Sequence, residues 1–212
     1  MISYAAIILV AGFLFFFFAR ANRRESLPQD FLAAKQEAAE VSQRIVELTS
    51  TTNEKIKAVN LSDLEGDGDR ALALIQEARR TNDEAYQKAF DLSRYLQKIA
   101  ESLGELKSVK NQRAVYEAVA VELSLVSEFI SYTQSLNNFL DTLAKAVSTN
   151  SLADRQMAGN YLDEVNQKAK TINNLNQEFL AKIEKFDQEF LSFLVSQLLN
   201  EARTFFERKS LE

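Results

Sequence analysis

ALALIQEARRTNDEAYQKAFDLSRYLQKIAESLGEL, residues 71–106, decides the fold. Ala71, Ile75, Ala78, Asn82, Ala85, Ala89, Leu92, Leu96, Ile99, Leu103 and Leu106 recur at alternating spacings of four and three. That is the rhythm of a helix burying one stripe along a partner helix. The alanines of the first half allow close helix approach.

The same rhythm extends over the rest of the chain. Phe31, Ala34, Ala38, Val41, Ile45, Leu48, Thr52 and Ile56 mark a helix over about 28–59. The helix just quoted spans about 69–106. A third, over about 112–147, shows two adjacent stripes. One is Tyr116, Val119, Leu123, Val126, Ile130, Thr133, Leu140 and Val147; the other includes Val115, Ala118, Leu125, Phe129, Tyr132, Leu136, Phe139 and Leu143. A face that wide implies more than one neighbour. A fourth, over about 151–208, repeats through Leu162, Val165, Ala169, Ile172, Asn176, Phe179, Ile183, Phe186, Phe190 and Phe193, with Asn150 or Ser151 as N-cap. Five glycines and one proline in 212 residues leave little material for strands and tight turns. The expected fold is therefore all-α: an antiparallel four-helix, coiled-coil-like bundle over 26–212.

Residues 1–25 read differently. ISYAAIILVAGFLFFFFA, residues 2–19, carries no charge and in a helix spans about 27 Å, close to a bilayer's hydrocarbon core. The expectation is a single transmembrane anchor. Arg20, Arg23 and Arg24 flank its C-terminal end, which by charge bias faces the cytoplasm, with Met1 outside. The alternative is an export signal cleaved near Ala21, supported by Ala19-Arg20-Ala21. Against it stand the missing basic n-region and an apolar run longer than a signal core.

Composition excludes much chemistry. The chain has no histidine and no cysteine, hence neither the commonest acid/base residue nor a thiolate. A net charge of −5, with interspersed signs, argues against nucleic acid as a partner. No catalytic constellation and no cofactor motif stand out, and the chain is read as a non-enzyme. SDLEGDGDRALAL, residues 62–74, places Asp63, Glu65 and Asp67 at the first, third and fifth positions of an EF-hand loop, a weak calcium candidate. The twelfth position is Leu74 instead of the bidentate Glu, so a capped turn, built on Gly66 and Gly68 with Asp67 or Asp69 as cap, is the stronger reading.

Two further expectations concern packing. Asn82 lies about as far before the turn near Ser108 as Thr133 lies after it, so a hairpin brings them level. The fourth helix is also too long for the third, leaving FLSFLVSQLLNEARTFFERK, residues 190–209, as an overhang. Phe190, Phe193, Phe205 and Phe206 are its candidate partner-binding residues. The overhang is expected to bend back or pair along the first helix and the unmatched end of the second, to pack on a second copy, or to lie at the membrane interface.

The function expected on these grounds is a single-pass, membrane-anchored scaffold or tether for protein partners, the lipid bilayer and a protein or second copy being its partners. Membrane-linked signal transmission is the alternative, and a helical membrane-active toxin a third.

Overall fold

The computed structural model describes residues 29–105 and 109–209, with side chains over 29–104 and, with few exceptions, 113–181. Four helices follow in order: α1 (Gln29–Leu64), α2 (Gly68–Ser102), α3 (Val109–Thr149) and α4 (Leu152–Lys209). A 3-10 turn, Leu103–Glu105, ends α2. Among the described residues there is no strand. The arginines Arg20, Arg23 and Arg24 and the apolar segment 2–19 lie outside the described residues. Among those described, no helix is long and apolar enough to cross a membrane.

Each helix runs antiparallel to the next, as polar pairs at the seams show. Arg44 meets Glu84 and Lys55 meets Glu77 between α1 and α2. Arg79 meets Asp141 and Asn137 meets Asp83 between α2 and α3. Ser135 meets Glu164 and Ser131 meets Lys168 between α3 and α4. Asp63 and Arg155 join α1 to α4 through two bonds of 2.8 and 3.1 Å. The α1–α2 and α3–α4 turns therefore share one end of the bundle, the tip. The start of α1 and the α2–α3 link share the other, the base.

Both tip turns have identifiable chemistry. At the end of α1 the Asp67 amide donates to the Ser62 carbonyl and the Gly66 amide to the Asp63 carbonyl. This is a Schellman ending with Gly66 at φ 78°, where only glycine is unstrained. Asp67 then caps α2, its carboxylate accepting from the Arg70 amide at 3.1 Å. At the second turn Asn150 takes φ 52° and Ser151 caps α4 by accepting from the Asp154 amide.

The core follows the stripes. In α2, Ala71, Ala78, Ala85 and Ala89 are at most 1% exposed and let α1 approach closely. Phe31, Ile45, Leu92, Leu96, Phe129, Leu140, Ile172 and Phe179 fill the interior. The two stripes expected in α3 are buried or half-buried except at two positions. Tyr116 and Leu123 are 47% and 36% exposed, and Glu122, not Leu123, takes the inward position between Val119 and Val126. Apolar residues surround most of α3, so its pattern alone does not set the edge of its buried face. Packing against α2 and α4 does.

Candidate functional site

Three places carry unusual chemistry or shape: the acidic tip turn, the polar layer between α2 and α3, and the far end of α4.

At the tip, the three residues of the calcium candidate are dispersed among other tasks. Asp63 holds Arg155, whose guanidinium keeps the Asp63 carboxyl below its ordinary value, chiefly through their hydrogen bonds. Asp67 caps α2, and Glu65 is exposed in the turn. Among the described residues no three carboxylates gather as a metal cage would require. The loop works as a helix connection: its glycine and cap close α1 and start α2, and its remaining carboxylate ties both to α4.

The polar layer is the second place. Asn82 is 2% exposed and Thr133 is fully buried. The Asn82 Nδ2 donates to the Thr133 carbonyl at 2.7 Å and to Asn137 Oδ1 at 2.9 Å. Asn137 in turn donates to Asp83 at 2.7 Å. The sequence-level pairing of Asn82 with Thr133 is thus present, with the contact made to Thr133's backbone; its hydroxyl bonds back to Ile130 within α3. Thr52 likewise bonds the Leu48 carbonyl of its own helix. Asn137 was not singled out in the sequence because it flanks the stripe instead of lying in it. A buried amide that must find partners on the facing helix fixes register, since a slip by one heptad leaves it unpaired.

The far end of α4 is the third. The helix has 58 residues against 41 for α3 and is unbroken. At 1.5 Å per residue it outreaches α3 by about 25 Å. It runs from tip to base, so its C-terminal end projects past the base, on the side where α1 begins. Among the described residues α4 has no break at which the overhang could bend back, and its pairing along α1 rests on side chains outside those described. Phe190, Phe193, Phe205 and Phe206 all lie on this helix; their side chains are outside those described. Its principal packing partner is α3.

No family model, curated protein or solved structure matches this chain. The functional reading therefore rests on its own residues and geometry.

One residue escaped the sequence reading altogether. Glu122 is 2% exposed, and burial pushes its carboxyl up to about 7. A glutamate between valines is ordinarily read as solvated. The signal available was its spacing of three from Val119 and four from Val126, which places all three on one face.

Proposed function

We propose that the protein is a membrane-anchored helical scaffold or tether, non-enzymatic, holding a protein partner or a second copy next to a bilayer. The observation that carries this reading is the projecting end of α4. α4 is longer than the α3 it packs on, and residues 190–209 hold four phenylalanines, apolar residues beyond the length of α3. That end projects on the side where α1 begins. In the sequence before α1, the uncharged stretch 2–19 and the arginines Arg20, Arg23 and Arg24 are read as the anchor, bundle on the cytoplasmic side. Separation of tip from base by a helical rod suits a spacer: 36 residues of α1 extend about 54 Å.

The test is a photo-crosslinkable side chain placed at Phe193 of the full-length chain in native membranes. Expected are adducts with one discrete second polypeptide, which disappear when Phe190, Phe205 and Phe206 are changed to serine. Adducts confined to lipid or to the chain itself would overturn the scaffold reading. Release of the chain from membranes by carbonate washing would overturn the anchor.

A further inference from the structure

The residue Glu122 sits deep in the base half of the bundle, and its Oε2 has no hydrogen-bond partner. Pairing between α3 and α4 steps one residue forward for each residue back, from Ser135–Glu164 to Ser131–Lys168. Nine residues further, Glu122 is level with Asn176 and Gln177. Asn176 belongs to the inward stripe of α4, between Ile172 and Phe179, and its buried Oδ1 is the other side-chain atom without a partner among the described residues. Both orphans are acceptors. With the Asn176 amide in this orientation, two unpartnered acceptors lie near one level of the core, and a single proton on Glu122 supplies an O–H there.

Among the described residues no neighbouring charge substitutes for that proton. On α2, Tyr95, Lys98 and Glu101 occupy this level, but with Glu37 of α1 they line an open cleft at the α1–α2 edge. On α1, Lys35 is buried, and on α4, Glu178 is exposed. Along α3 itself, Glu117 is exposed and Glu128 half-buried. None of them enters the balance at Glu122, whose carboxyl is displaced by burial alone.

We propose that Glu122 is a proton-operated latch: neutral, it holds the distal half of α4 against the bundle, and ionised, it lets that half come away. The latch lies at the last described core layers before α4 leaves α3, where Phe179 is the final buried apolar residue described. Opening there extends the free length of α4 and its phenylalanine-bearing end; closing shortens it. The sign follows from linkage. Glu122 in the closed state holds its proton above the ordinary carboxyl value of 4.5, up to about 7. Closure is therefore fully favoured below 4.5 and is lost progressively as pH rises through about 7. This stands independently of what the protein tethers.

The experiment uses the purified full-length chain. Amide hydrogen exchange over residues 165–181, corrected for the intrinsic pH dependence of exchange, is compared at about pH 5.5 and about pH 8.5, where linkage predicts about 30-fold more opening at the higher pH. Peptides at the tip keep their protection, and Glu122→Gln flattens the pH response over 165–181. An equal response in Glu122→Gln, or none in the wild type, would overturn the latch. A second measurement needs no variant: the carboxyl carbon of Glu122, followed by NMR in labelled protein, should titrate near 7. Titration near the ordinary value would mean that an ionised carboxylate is accommodated, for example by the Asn176 amide turned to donate, and would also overturn the proposal.

Discussion

Replacing Asn82 by alanine tests the polar layer most directly. The wild-type amide makes two buried bonds from one nitrogen, at 2.7 Å to the Thr133 carbonyl and 2.9 Å to Asn137. Each contributes about 1 kcal/mol net, and an acceptor left buried without a donor adds to the loss. The Thr133 carbonyl sits within α3's own ladder, whereas the half-buried Asn137 Oδ1 loses its donor, since Asn137 meets Asp83 only by donating from Nδ2. The expected destabilisation is about 2–3 kcal/mol. For a chain of this size that lowers the melting temperature by about 4–12 °C. Asn82→Leu separates hydrogen bonding from filling. It restores apolar burial of similar volume, so its stability should return to within about 1 kcal/mol of wild type. Its cost should appear as relaxed register or altered association state instead. Thermal and urea unfolding followed by circular dichroism give the energies, and sedimentation gives the association state. A double-mutant cycle with Asn137→Ala should return a coupling of about 1 kcal/mol. If Asn82→Ala melts within about 1 °C of wild type, or the coupling is zero, the layer does not hold the α2–α3 hairpin and the reasoning fails.

Two other perturbations probe the parts that position this layer. Ala78→Leu forces a larger side chain into the alanine-lined contact of α2, where Ala78 has no exposed surface, and should cost about 1–3 kcal/mol in urea unfolding. Asp67→Ala removes the α2 cap while leaving Asp63 and Arg155 in place. It should cost about 1 kcal/mol, and calcium at millimolar concentration should shift the melting of neither protein; a calcium-dependent rise in the wild type alone would restore a metal role to this loop.

Helix existence and extent were legible because the patterns are long. The expected 69–106 and the observed Gly68–Ser102 with its 3-10 extension differ only at the ends. Likewise 151–208 became Leu152–Lys209. The level of Asn82 with Thr133 could be counted from a turn because antiparallel helices advance at the same rise. What counting could not supply was which atom answers Asn82. Thr133's hydroxyl is taken by Ile130 inside its own helix, so the facing partner is a backbone carbonyl and the neighbouring Asn137.

The rotation of α3 was legible except at the edge of its apolar face. Both expected stripes are buried or half-buried apart from Tyr116 and Leu123, and a reading of the pattern turns Leu123 inward. Contact with α2 on one side and α4 on the other sets that edge, turning Leu123 out and Glu122 in. The candidate site divided the same way. At the acidic turn the cap by Asp67 is local and was legible in the sequence, whereas the pairing of Asp63 with Arg155 is tertiary and was not.

By itself, then, the sequence determined four helices, their antiparallel order and the overhang of the last. Period and length are local quantities, and each residue's place in the repeat is set by its near neighbours along the chain. Only the tertiary structure decided where the apolar face of α3 ends, and with it that Glu122 is buried. Burial depends on surfaces contributed by residues tens of positions away, and the Glu122 carboxyl is pushed up to about 7 only once those surfaces close over it.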